Sequence, residues 1–160
     1  MCIRDRLSFL HHLKSEEGTL KALVVCPTTL MYNWQNEIGK FTPNISFYVH
    51  HGAGRSRDAL ASNEADVIIT TYGTLRSDIK QFVEVAFDYV VLDESQAIKN
   101  PNSKVTKAAG LLKATNRLCL SGTPLQNNTF DIYAQMNFLN PGMLGSVEFF
   151  KQEFLSLIHI

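Results

Sequence analysis

Five short and almost continuously apolar runs alternate with segments of helical periodicity along this 160-residue chain. The runs are KALVVC (21–26), SFYVH (46–50), DVIITT (66–71), DYVVL (88–92) and RLCLS (117–121). A strand that is apolar at successive positions has both of its faces covered, as in a parallel sheet packed between helices. The pattern therefore predicts an α/β fold, with a parallel sheet and helices on both faces.

Three segments carry apolar residues at helical spacing on one face. The second of them, 103–113, has Asn102 or Ser103 in position to cap its start, and NPG at 140–142 ends the third. The apolar faces are Leu30, Trp34, Ile38 and Phe41 in the first segment, Val105, Ala108, Ala109 and Leu112 in the second, and Ile132, Tyr133, Met136 and Leu139 in the third.

The formal net charge is zero, so any contact with nucleic acid must come from a local patch rather than from a global field. One basic run lies between 93 and 117, a stretch whose only carboxylates are at 93 and 94. It is either a solvated helix face or a patch that faces phosphates. Its members are Lys99, Lys104, Lys107, Lys113 and Arg117.

The cysteines and the hydropathy bear on the compartment. Cys2, Cys26 and Cys119 form no CxxC pattern, and the last two lie inside apolar runs. This predicts buried, reduced thiols and a reducing compartment. No apolar run approaches the roughly 20 residues of a membrane helix, and the first residues lack the continuous apolar stretch of a signal peptide. We expect a cytoplasmic protein without a membrane partner, nucleoid-associated in a bacterium or nuclear in a eukaryote.

Asp93 and Glu94 follow the run DYVVL directly, at the end of the strand where parallel sheets bind their ligands. One carboxylate there can hold magnesium, directly or through water, and the other can orient and deprotonate a water that attacks a γ-phosphate. Alternatively, the pair only solvates the end of a strand, and the neighbouring motifs must decide between the two.

Three further segments begin in or follow apolar runs. LSGTPLQNN (120–128) predicts a turn that brings backbone and hydroxyl groups close to its neighbours. ALVVCPTTLMYNW (22–34) places hydroxyls and free amides at a helix start, which suits a phosphate group. VIITTYGTLRSD (67–78) repeats that arrangement and adds Tyr72 as a base-stacking or packing ring. Simple helix capping remains open for the last two segments.

Together and in this order, the segments resemble the SNF2-type branch of the superfamily 2 helicase-like ATPases. LVVCPTTLMYNWQNEIGKF is similar to motif Ia with its helix, IITTYGTLRSD to the following DNA-contact motif, and VVLDESQAIKNPNSKVTKAA to motif II. RLCLSGTPLQNN is similar to motif III, and IYAQMNFLNPGMLGSVEFFKQEF to the stretch that closes the first lobe. The resemblance implies a RecA-like first lobe of a double-stranded DNA translocase that remodels protein–DNA complexes.

The resemblance also implies roles around the nucleotide, which in this family is ATP with Mg²⁺. Asp93 would hold the magnesium, Glu94 would position the attacking water, and Gln96 would sit near the γ-phosphate. The turn that follows the last apolar run would couple hydrolysis to the grip on DNA through Ser121, Gly122 and Thr123.

On the DNA side, the resemblance implies contacts to the backbone from Thr28, Thr29, Thr71 and Tyr72. The resemblance also implies a second RecA-like lobe, which would complete the translocase. The spelling DESQAIKNP is nearer to bacterial-type members than DEGH or DEAH, so a histone substrate is not implied.

The 160 residues contain no phosphate-binding G-x-x-x-x-G-K-[ST] loop. Gly39-Lys40 is followed by Phe41 and has Trp34 where the first glycine belongs, and HGAGRSR (51–57) lacks the lysine. The family pattern places the loop just before the helix that ends in LSFLHHLKSEEG. We therefore expect a partial, incomplete first lobe at 7–154 between non-native ends at 1–6 and 155–160, such as translated adapter sequence.

Two other functions stay open from the sequence. The chain could be a non-catalytic module that binds nucleic acid or acts as a scaffold, with no phosphate-binding loop in the intact protein. It could also be an RNA-directed or restriction-associated relative in the same superfamily. LSGTPLQNN together with NPGMLGS argues against the latter, because RNA-directed members typically carry SAT at motif III.

Overall fold

A computed structural model describes residues 3–61, 64–122 and 129–155. The strands are β1 (Ala22–Cys26), β2 (Phe47–His50), β3 (Val67–Thr71), β4 (Ala86–Asp93) and β5 (Lys113–Leu120). The helices are α1 (Ile3–Glu17), α2 (Thr28–Phe41), α3 (Arg57–Ala61), α4 (Tyr72–Phe82), α5 (Lys104–Leu111), α6 (Thr129–Leu139) and α7 (Val147–Leu155), and a 3₁₀ helix spans Ser95–Ile98.

The five strands form one sheet in the order β2-β3-β1-β4-β5, and every neighbouring pair is parallel. The predicted parallel sheet is therefore confirmed. Because all strands run the same way, their carboxyl ends share one rim. At that rim Cys26 lies opposite Thr71, and Asp93 lies opposite Leu120.

Both faces of the sheet are covered, which explains the continuously apolar strands. All five residues of β1 are buried, as are all five of β3. On one face, Leu7 and Leu10 of α1 join Trp34 and Ile38 of α2 against the sheet. On the other face the core includes Leu75, Phe82, Ala109 and Phe138, from α4, α5 and α6. Helices on both faces are thus confirmed.

Two sequence expectations about local structure were wrong. The second predicted helix ends at Leu111, and Lys113 begins β5. The reason is Leu112, which takes an extended conformation and is almost fully buried in the core. Phe41 is 42% exposed rather than packed inward, because it is the last residue of α2 and its ring lies beneath the Arg4 guanidinium, 5.0 Å from that group.

Two further features are the burial of the thiols and the hydropathy of the helices. Cys26 is buried and Cys119 half-buried, both as free thiols, and burial raises the pKa of each to about 12. Cys2 lies outside the described residues. In the ranges that the structure describes, no helix combines the length and the apolarity that crossing a membrane requires.

Candidate functional site

Asp93 is the last residue of β4 and pairs in register with Leu120, the last residue of β5. Glu94 and Ser121 therefore leave two neighbouring strands at the same rim of the sheet. This is the rim at which open parallel sheets bind ligands, and the carboxylate pair lies where the sequence predicted it.

The Asp93 carboxylate is 3% exposed and is held from three elements. Its Oδ1 accepts a hydrogen bond from Arg6 Nη1 at 2.6 Å and one from the Glu94 amide at 3.0 Å. Its Oδ2 accepts from the indole Nε1 of Trp34 at 2.9 Å. The Tyr72 hydroxyl donates to the Asp93 carbonyl oxygen at 2.8 Å. A buried carboxylate needs such partners, because an uncompensated charge in the interior is strongly destabilising.

Glu94 adopts a left-handed backbone conformation, with φ of 51° and ψ of 55°. Among the described residues it is the non-glycine residue with positive φ, a conformation that costs roughly 1–3 kcal/mol and persists where the surroundings enforce it. Gln96 Nε2 donates to Glu94 Oε2 at 2.6 Å, and Ser121 Oγ donates to Gln96 Oε1 at 3.0 Å. Three half-buried polar side chains thus form a hydrogen-bonded row along the rim.

The turn after Asp93 is also held by a hydrogen bond to α6. Ser95 is fully buried, and its Oγ donates to Oε1 of Gln135 on α6 at 3.1 Å. Burial raises the pKa of Tyr72 above its ordinary value, so its phenol stays protonated and keeps its bond to the Asp93 carbonyl. Side chains of α4 and α6 therefore hold the backbone on both sides of Glu94.

The structure separates the four residues assigned to DNA contact into two pairs. Thr28 and Thr29 are exposed on the first turn of α2. Thr71 is buried, and its Oγ1 accepts from the Thr74 amide as the N-cap of α4. Tyr72 is also buried, and its ring packs in the hydrophobic core. The role of all four in DNA contact stays a prediction.

The remaining predicted positions fall as follows. Gly122 is exposed beside Ser121, and Thr123 lies outside the described residues. Arg117 is half-buried, donates to the carbonyl oxygens of Leu112 and Phe138, and stacks on the Phe138 ring. It therefore does not belong to an exposed basic face. The exposed members of the basic run are Lys99, Lys104, Lys107 and Lys113.

Sequence reasoning missed two residues of the site. Trp34 was predicted only as a packing residue, although its helix follows β1 and its face points at the sheet, which was the available signal. Arg6 was assigned to a non-native end, and no motif pointed to its contact with Asp93.

The arrangement does not fit a bound magnesium ion. Both Asp93 oxygens are engaged, one of them with a cation. Mg²⁺ requires oxygen ligands at about 2.0–2.1 Å and usually keeps several waters, which a 3% exposed carboxylate cannot accommodate. The magnesium role of Asp93 stays a prediction, and no chemical step is derived from it.

The parallel sheet, its two helical layers and the carboxylate pair at the rim define an α/β lobe of the RecA-like type. A solved structure of a Sulfolobus solfataricus SWI2/SNF2 ATPase core in complex with dsDNA superimposes with a TM-score of 0.87 and 38% identity. The match covers 96% of this chain and 32% of that chain. The family profile described as the SNF2-related domain matches residues 5–159, and the chain belongs to this family.

Curated relatives extend the comparison to eukaryotes and bacteria. The TATA-binding protein-associated factor mot1 of Schizosaccharomyces pombe is 39% identical over 136 residues, which cover 84% of this chain and 7% of that protein. The putative ATP-dependent helicase/translocase YwqA of Bacillus subtilis is 34% identical over 150 residues, which cover 92% of this chain and 16% of that protein. The chain thus spans well under a fifth of the length of either relative.

Proposed function

We propose that this chain is the part of a first RecA-like lobe that activates water for ATP hydrolysis in a double-stranded DNA translocase. The observation that carries the proposal is the row Glu94–Gln96–Ser121 at the carboxyl ends of β4 and β5. It presents an oriented carboxylate at the rim where a nucleotide would lie. The S. solfataricus relative, described as an ATPase core in complex with dsDNA, supports both partners.

In the proposed mechanism Glu94 is the general base. Its left-handed backbone turns the side chain toward the rim, and the Gln96 amide holds one carboxylate oxygen at 2.6 Å. A water between Glu94 and a γ-phosphate would give its proton to the carboxylate as it attacks the phosphorus, while the bond to the β–γ bridging oxygen breaks and ADP leaves. Ser121 is hydrogen-bonded to Gln96, so a displacement of Ser121 would change the orientation of the base.

The proposed contacts with DNA are assigned from the exposure of two threonines at the start of α2. Thr28 and Thr29 present hydroxyls and free amides at the start of α2, a 14-residue helix. The first turn of a helix carries unpaired amides and a positive dipole end, both of which favour a phosphate. We assign the direct DNA contacts to these two threonines. Thr71 caps α4 and Tyr72 packs it against the core, so we assign a supporting role to both. Work on DNA would place the protein at the nucleoid or in the nucleus, and a second RecA-like lobe would complete the ATP site.

A chimera tests this proposal. Residues 20–155 replace the corresponding segment of the S. solfataricus ATPase core, with the rest of that core unchanged. We expect ATP hydrolysis that double-stranded DNA stimulates, and a loss of at least about 100-fold in its rate on Glu94→Gln, the size typical of a general base. The matched control is Glu84→Gln, because Glu84 is 61% exposed and precedes β4 at the opposite rim. Equal rates for the two variants would overturn the assignment of Glu94.

A non-catalytic nucleic-acid-binding module is the second candidate, and one observation favours it. The Asp93 carboxylate is closed by Arg6 and Trp34, which leaves it unavailable to a ligand. This candidate predicts that a second chimera, in which residues 3–155 are transferred so that Arg6 is retained, folds and binds double-stranded DNA but hydrolyses ATP no faster in its presence.

A further inference from the structure

The guanidinium of Arg6 lies where a metal ion would have to bind Asp93. Its Nη1 is 2.6 Å from Asp93 Oδ1, although the two residues are 87 positions apart in the chain. The Arg6 side chain is 13% exposed and the Asp93 side chain 3%. This is a buried, charge-assisted pair, the strong kind of hydrogen bond.

The surroundings of Arg6 fix it in this position. Its side chain enters a cleft of about 280 Å³ between α1 and the β4–β5 part of the sheet. The surface of the cleft is almost entirely apolar, so it disfavours a guanidinium that is displaced from the Asp93 carboxylate. Arg6 Nε is itself buried and has no hydrogen-bond partner among the described residues. The walls of the cleft, beside Arg6 and Asp5, are Phe9, Leu10, Val91, Leu118 and Leu120.

A divalent ion at Asp93 would meet two obstacles. It would approach a guanidinium in a site with little water, where like charges repel strongly. It would also have to share Oδ2 with the Trp34 indole, because Oδ1 already accepts from Arg6 and from the Glu94 amide. The ion can enter only if Arg6 leaves, and the apolar cleft disfavours its departure.

We propose that Arg6, although it lies within residues 1–6, which we expect to be non-native, is the resident cation of the Asp93 site in this 160-residue polypeptide and excludes Mg²⁺ from it. The inference rests on the proposed function in one respect only, namely that a divalent metal ion is what Asp93 would bind in the absence of Arg6. Its test uses metal alone, without ATP or DNA. Failure of this inference is therefore distinguishable from failure of the ATPase assignment.

The chain contains its own reporter, because Trp34 is its one tryptophan and donates to Asp93 Oδ2 at 2.9 Å. Mn²⁺, a paramagnetic substitute for Mg²⁺, quenches indole fluorescence when it binds within a few ångströms of the ring. We expect the wild-type chain to show no saturable quenching through the millimolar range. Arg6→Gln should show saturable quenching, with an apparent Kd at least about tenfold tighter than any wild-type binding, as removal of a like charge requires.

Two controls assign the effect to the pair. Arg4→Gln lies on the same helix, but Arg4 is 59% exposed and pairs with Glu37 at the surface, so this variant should behave as the wild type. Adding Asp93→Asn to Arg6→Gln should abolish the gained quenching. Circular dichroism confirms folding of each variant, and Arg6→Met, which keeps an apolar stem, replaces Arg6→Gln if the latter does not fold.

Saturable quenching of the wild type at the Mn²⁺ affinity of the Arg6 variant would overturn the proposal. So would a folded Arg6 variant that gains no quenching, because the guanidinium would then not be what keeps the ion out. Quenching that survives Asp93→Asn would place the metal elsewhere and would also contradict it.

Discussion

Trp34→Phe is the substitution that probes the buried half of the site most selectively. Trp34 is fully buried between α2 and the sheet, and its Nε1 donates to Asp93 Oδ2 at 2.9 Å. Phenylalanine keeps an aromatic ring in the core and removes the donor. The Asp93 carboxylate, itself 3% exposed, then loses one of its partners and cannot replace it with water.

The expected loss of stability has two parts. A hydrogen bond to a charged group contributes about 1.5–3 kcal/mol, and the smaller ring loses about 1–2 kcal/mol of packing. The sum is about 2.5–5 kcal/mol, against the 5–15 kcal/mol typical of folded domains. For a chain of this size each kcal/mol shifts the Tm by about 2–4 °C, so the Tm should fall by roughly 5–20 °C.

Urea unfolding followed by far-UV circular dichroism measures the effect. The matched control is Tyr32→Phe on the same helix, because Tyr32 is 68% exposed and its hydroxyl should contribute within about 0.5 kcal/mol. In combination with Asp93→Asn, the loss from Trp34→Phe should shrink by about 1 kcal/mol or more. A loss below about 1 kcal/mol, the size of a neutral hydrogen bond, or strict additivity with Asp93→Asn, would refute the reasoning.

Three further predictions concern the rest of the chain. Ser103→Ala removes the hydroxyl that caps α5 and should cost about 1 kcal/mol in urea unfolding, whereas Ser103→Asp should restore most of it. A hydrogen bond from Arg55, and with it one from His50, lowers the pKa of Asp78 although burial alone would raise it. The ionised carboxylate therefore stabilises the fold above its unfolded pKa of about 3.9. This stabilisation is lost as the pH falls through the lowered pKa of the folded state. Asp78→Asn should therefore be about 1–2 kcal/mol less stable at pH 7 and show a shallower loss of stability between pH 5 and 3, and an unchanged acid slope would contradict this. The 160-residue polypeptide should release no phosphate from ATP above background, with or without double-stranded DNA, because it contains no G-x-x-x-x-G-K-[ST] loop, and DNA-stimulated release in a malachite-green assay would contradict that expectation.

The sequence predicted the elements whose signals are periodic and local. The apolar runs predicted five parallel strands, most clearly β1 and β3, which are buried throughout and, being covered on both faces, have no polar side. Asp93 and Glu94 could be placed at the rim because they follow such a run without a break, and Ser103 could be recognised as a cap from its position before a helical pattern.

The contacts that the sequence did not reveal depend on tertiary packing. A helical pattern tells which side of α2 faces the sheet, but the contact of the Trp34 indole with Asp93 depends on how the helix is rotated and tilted against its neighbours. The sequence of Thr71 and Tyr72 suits contact with phosphate as well as it suits a helix cap and a core ring. The structure shows that both residues are buried, and their contact with DNA stays a prediction. Arg6 belongs to no motif, so its pairing with a carboxylate 87 residues away has no counterpart in the sequence pattern.

The most direct measurement of the central claim is a crystal structure of the chimera with a non-hydrolysable ATP analogue. The γ-phosphate should lie at the carboxyl ends of β4 and β5, with Glu94 and Gln96 within hydrogen-bond reach of it or of one bridging water. A nucleotide bound at the opposite rim, beside Glu84, or a Glu94 side chain turned away from the γ-phosphate, would contradict it.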